Sequence, residues 1–110
     1  MKTIKSVRCE GMNNIIVGRV DKWLEVRLGV QDDVTEFVFI EDSEKEDAYY
    51  EFIELDEGDI LQDGSWSYLG SVFRYDLFHS YIFVRRLDPS FVPDWIKKPM
   101  LYEQMAMELN

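Results

Sequence analysis

His79 and Ser80 stand side by side in FHSYIF, and His79 is the chain's only histidine. With acids elsewhere, these types could form a serine relay, in which a histidine takes the hydroxyl proton and a carboxylate orients the ring. The spacing argues against it. FHSYIF reads as a strand, and adjacent strand residues point to opposite faces, so Ser80 is not the partner of His79 there. There is also no G-x-S-x-G elbow to expose a nucleophile. His79 is therefore read as a structural or surface residue.

Cys9 is the one cysteine, and only the neighbouring Arg8 could favour its thiolate, so it is read as a buried or incidental thiol. A single thiol forms neither an internal disulfide nor a zinc cluster. Carboxylate pairs for general acid–base work carry little information in a chain with 22 acids, because they occur everywhere. Asp56, Glu57, Asp59 and Asp63 offer hard oxygen ligands beside Gly58 and Gly64. With Asp59 as the first position of an EF-hand loop, Gly64 falls correctly at the sixth. Leu61 and Gly70 then occupy the third and twelfth, where carboxylates are required, so adventitious calcium is the most this stretch supports. No glycine-rich phosphate cradle occurs. The expectation is a protein without catalytic residues, resident metal or cofactor.

The elements that would position these side chains are mostly short strands. In 23–30, WLEVRLGV, Leu24, Val26, Leu28 and Val30 share one face and Glu25 and Arg27 the other, the period of two of a half-buried strand. Strands are also expected over 13–20, 34–41 and, from aromatic content, 48–55. Gln31-Asp32-Asp33 separates two of them, Asp63-Gly64 signals a hairpin, and 66–86 reads as an antiparallel pair turning near Tyr75-Asp76. Pro89, Pro93 and Pro99 interrupt regular structure. After Pro99, Leu101, Met105 and Leu109 fall on one face of a helix. These features predict one mainly β domain (β-rich α+β) over 1–110: a curved antiparallel sheet or barrel of six or seven strands over 13–86, a Pro-bracketed segment over 87–99 and a C-terminal helix over 99–110. No apolar run approaches a membrane span, and the lysines of MKTIKSVRCEG have no apolar stretch behind them, so a cytoplasmic protein is expected.

Charge is distributed unevenly. The chain carries a net charge of −10, and the stretch 41–59, EDSEKEDAYYEFIELDEGD, holds ten acids and one lysine. Solvation explains EDSEKED well. The remainder interleaves rings with carboxylates, the composition of an anionic face with apolar anchors, which suits a basic surface on another protein. Glu41, Asp42, Glu44, Glu46, Asp47, Glu51, Glu54, Asp56, Glu57 and Asp59 would supply charge, and Tyr49, Tyr50 and Phe52 the anchors. Phe91 and Trp95 offer a secondary contact surface, although packing onto the β core is the simpler reading of that segment. Direct nucleic-acid binding is not expected at a pI near 4.4, although Tyr68 or Tyr81 on a strand could stack bases. Arg85-Arg86 and Lys97-Lys98 are read as solvated charge.

In type, a small acidic domain without a catalytic motif is similar to inhibitors encoded by phages or paired with toxins, including anti-CRISPR, other anti-defence and immunity proteins. The similarity is one of character, covers no motif and transfers no residue. The leading expectation is a non-catalytic inhibitor that occludes the basic surface of a nuclease or other nucleic-acid enzyme. Two alternatives stay open: a small β-barrel holding a small molecule in its mouth, and an assembly subunit of a phage or larger complex.

Overall fold

The computed structural model describes residues 1–9, 14–30, 34–74 and 78–93. The expected C-terminal helix, Trp95 and the turns at 31–33 and 75–76 lie outside these residues. Among the described residues there are seven strands: β1 (Lys2–Arg8), β2 (Ile15–Gly18), β3 (Val20–Leu28), β4 (Thr35–Asp42), β5 (Ala48–Leu55), β6 (Ser67–Arg74) and β7 (Phe78–Leu87). All pairings are antiparallel, in one sheet of order β1-β4-β3 and another of order β2-β5-β7-β6. The expected mainly β character holds, but the strands form two sheets and do not close into a barrel.

β2 and β3 are one path bent at Arg19, leaving the second sheet and entering the first. The opposing path makes the same transfer: β4 pairs with β3, β5 pairs with β2, and residues 43–47 bulge out between them. Arg19 fastens this corner, its carbonyl accepting from the Asp42 N–H at 3.0 Å and its guanidinium donating to the Ser43 carbonyl at 3.2 Å.

The inner faces meet in a core of Ile16, Val26, Phe37, Phe52, Val72 and Ile82, drawn from six different strands. Trp23 lies edge-on to Phe37, Phe39 and Tyr50, at ring distances of 6.0, 5.4 and 5.4 Å. Each such ring pair contributes roughly 0.5–1.5 kcal/mol beyond its buried area.

Two expectations change here. Strand β3 carries bulges at Asp21 and Leu24, where two of its residues advance against one of β4. Each bulge shifts the side-chain parity by one. Val20, Trp23 and Val26 therefore turn inward at intervals of three, while Leu24, expected on the core face, is exposed. The second change concerns Asp63-Gly64. β5 and β6 are not paired; β7 lies between them, so 56–66 is a crossover and not a hairpin.

The strands β3 and β6 face one another across a seam bridged by side chains. Gly70 on β6 has no side chain, and a Cβ there would stand 2.8 Å from Val26 Cγ1. A third bulge, at Leu69, sits on the same strand. Among the described residues no strand pairing joins β3 to β6, and bulged strands present interrupted rows of N–H and C=O groups, consistent with a seam that is packed rather than paired.

Candidate binding surface

The acidic stretch does not form one face. Strand β5 has eight residues, which at about 3.3 Å per residue separates its ends by roughly 23 Å. That is several times the Debye length of about 8 Å at physiological salt. The acids fall into a first corner, Glu41 to Asp47, and a second, Asp56 to Asp59, joined by a strand whose two carboxylates are neutralised.

Those two carboxylates meet cations from distant strands. Arg85 on β7 reaches Glu51 Oε1 from Nε at 2.9 Å and Nη2 at 2.7 Å. Arg74 on β6 grips both oxygens of Glu54, and the Thr35 hydroxyl donates to Glu54 Oε1 at 3.0 Å. Glu54 belongs to the inner face, so this is a half-buried structural pair. In the first corner Glu41 pairs with Lys5 at 3.0 Å, Asp47 lies 3.6 Å from Arg19, and Asp42 accepts the Glu44 N–H. Lys45 bridges instead to Asp21, which also pairs with Lys2. These lysines hold the Asp21 carboxyl below its ordinary value, first through their hydrogen bonds. Glu44 and Glu46 stand in solvent, with no side-chain partner among the described residues.

The second corner is a tight turn. The Asp59 N–H donates to the Asp56 carbonyl, and Asp59 Oδ2 accepts the Asp56 N–H at 2.8 Å. Gly58 sits at φ 97°, the left-handed third position that glycine adopts without a Cβ penalty. Asp56 accepts from Ser80 Oγ at 2.8 Å, and Glu57 is exposed beside it.

The expected anchors behave differently from one another. Phe52 is a core residue and Tyr50 turns inward against Trp23, so neither is an exposed anchor. Tyr49 is half-buried on the outer face, in register with Leu87. Phe91, on a 3-10 turn capped by Asp88, is exposed, whereas Val92 beside it is buried.

A row of exposed rings lies elsewhere, on the outer face of β6 and β7, whereas Phe78, also exposed, shares the side of Ser80. Ser80, Ile82 and Val84 point into the core, so His79, Tyr81, Phe83 and Arg85 point out. Register sets Phe73 against His79 and Tyr68 against Phe83. Ring centroids are 5.5 Å apart for Phe73–His79, 4.7 Å for His79–Tyr81 and 5.5 Å for Tyr68–Phe83. Tyr68 and Phe73 are more than half exposed, and Tyr81 37%. Leu55 and Ile53 flank them on β5, opposite Tyr81 and Phe83. The signal for this stripe was the period of two in HSYIF, which places His79, Tyr81 and Phe83 together.

At the far end of the stripe the crossover folds down, and the Arg85 guanidinium lies over the Trp66 ring at 4.3 Å. A cleft of about 570 Å³ opens there between Ile53, Leu55, Ile60, Trp66 and the Glu51–Arg85 pair. The Trp66 Nε1–H is buried beside it without an acceptor among the described residues.

The residues considered for chemistry are dispersed. Ser80 and His79 face opposite sides of β7, and Ser80 donates to Asp56. The Cys9 thiol is pushed up to about 12, by burial first and the nearby Glu54 charge second, so it is a neutral thiol at physiological pH. Compared with protein-family models, curated proteins and solved structures, the chain matches none.

Proposed function

We propose that the protein is a non-catalytic binding protein, an inhibitor that occludes a basic nucleic-acid-binding surface of a nuclease or similar enzyme. The observation that supports this is the sorting of its charge. Glu41, Glu51 and Glu54 are matched by Lys5, Arg85 and Arg74, while Glu44, Glu46 and Glu57 remain in solvent at two corners of a chain with net charge −10. Unpaired surface carboxylates add little to folding, but they speed encounter with a cationic partner and repel phosphate chains. The test is capture from a host lysate at low salt and at about 0.5 M salt. A variant carrying Glu44→Gln, Glu46→Gln and Glu57→Gln is run beside the wild type. A basic nucleic-acid enzyme held at low salt, lost with the variant, and inhibited by purified wild type supports the reading. Inhibition that ignores both salt and variant refutes it.

One observation favours a second reading, a small-molecule binder. The space between the sheets is filled by the core, so a ligand would occupy the cleft beside Trp66, where an acceptor could take the unsatisfied indole N–H. A thermal shift with a metabolite panel tests it, because a ligand of the native state raises stability by mass action. A shift abolished by Trp66→Phe supports the cleft, and no shift across the panel counts against it.

A further inference from the structure

The outer face of β6 and β7 adds a second element to this surface, and the inference rests on the inhibitor reading above. We propose that the rings of Tyr68, Phe73, Tyr81 and Phe83, bordered by the Asp56–Asp59 corner, form a docking face for an extended arginine-rich segment of the partner.

Three observations carry it. Outward positions on β7 repeat every second residue, about 6.8 Å, which is also the repeat of alternate side chains along an extended chain laid beside it. Each guanidinium of such a segment can then meet a ring face. Leu55 pairs with Tyr81 and is followed directly by the acidic turn, so this turn leaves β5 next to the stripe; Asp56 itself is held by Ser80 on the inner face, and Glu57 is exposed in the turn. Charge and rings therefore adjoin here, as they do not around Tyr50 and Phe52. Finally, the same face already holds one guanidinium on an aromatic ring, Arg85 over Trp66, with Glu51 completing its charge. Arginine suits this combination because its planar cation stacks on rings while its N–H groups meet carboxylates.

The alternatives fit less well. Tyr68, Phe73 and Tyr81, at 58%, 55% and 37% exposed, present about 300 Å² in all if each ring offers about 200 Å². That is well below the roughly 800 Å² per partner of a stable dimer, and a second copy would also bring another charge of −10. Single-stranded nucleic acid would find the rings but meet the carboxylates first.

The test is fluorescence anisotropy with two labelled peptides of equal charge, one arginine-rich and one lysine-rich, and with labelled oligothymidylate. Wild type is compared with Tyr68→Leu/Phe73→Leu/Tyr81→Leu and with Glu44→Gln/Glu46→Gln, each checked for an unchanged unfolding midpoint. Exposed cation–ring contacts are worth about two- to fivefold each, so the ring variant should bind the arginine peptide about tenfold to a hundredfold more weakly. The lysine peptide should bind wild type more weakly and respond less. Arginine-peptide binding that is absent, or insensitive to the ring variant, overturns the docking face. If it follows only Glu44 and Glu46, the inhibitor reading survives without this face. Ring-dependent oligothymidylate binding, or a wild-type dimer that the ring variant dissolves, also overturns it.

Discussion

Gly70→Ala tests the seam that holds the two sheets together. The added Cβ would stand 2.8 Å from Val26 Cγ1, about 0.7 Å or more inside the optimal carbon–carbon separation. Val26 is buried, packs in the central cluster and is β-branched, so it has few rotamers with which to yield. Overpacking of this kind costs about 1–3 kcal/mol. The alanine regains about 0.5–1 kcal/mol through the smaller freedom of its unfolded chain. The net expectation is a loss of about 0.5–2 kcal/mol, read as a lower urea midpoint at unchanged slope. Val26→Ala alone should cost about 2–3 kcal/mol through lost burial and a cavity. In the double variant the alanine methyl at 70 enters the space Val26 has vacated. Its cost should therefore fall below the sum of the singles by about 1–2 kcal/mol. Additive costs, with Gly70→Ala as stable as wild type, would show that β3 and β6 do not touch there.

Phe52→Ala should cost about 3–5 kcal/mol of stability, whereas Phe73→Ala should stay within about 1 kcal/mol; equal losses in chemical denaturation would reverse the assignment of faces. Cys9, pushed up to about 12 from 9.0, should react with a disulfide reagent at pH 8 on the order of 100- to 1000-fold more slowly than in the unfolded chain, and rapid labelling of native protein would contradict its burial. Asp21 has a depressed folded-state pKa, so its contribution is present above the unfolded value and fades as pH falls through the folded one. Asp21→Asn should therefore lower the melting temperature at neutral pH, more in low salt than in high. The difference should vanish well below the usual carboxylate range, and one that persists in acid would sink the assignment.

Local pattern carried β2 to β7 and the antiparallel pairing of β6 with β7, because alternation and β-branched composition act within a few residues; β1, Lys2–Arg8, lies outside the expected 13–86 core and was not expected. It did not carry the bulges. Nothing adjacent to Asp21, Leu24 or Leu69 announces an extra residue; each is defined against a partner strand. The Asp63-Gly64 signal misled for the same reason: pairing β5 with β7, and not with β6, is a long-range choice that no dipeptide records. The candidate site divides likewise. That the chain combines free carboxylates with rings was legible. That Glu51 and Glu54 are matched was not, since Arg85 and Arg74 lie 34 and 20 residues away in sequence.

Strand β7 is where these levels meet. It lies between β5 and β6, and its inner positions, Ser80, Ile82 and Val84, already fill their share of the core. An antiparallel strand with one face packed ordinarily turns polar residues outward. Here the outward positions are His79, Tyr81 and Phe83, with Tyr68 and Phe73 drawn beside them by the register of β6. Cross-strand ring pairs contribute roughly 0.2–1 kcal/mol each, which threonine pairs on the same positions supply in part. Folding therefore gives only a weak reason for five rings on one solvent-facing stripe, whereas it gives a strong reason for Phe37 and Phe52. The aromatic content divides into rings that the fold requires and rings that it does not, and the second group adjoins the turn where Glu57 is exposed and has no ion-pair partner among the described residues.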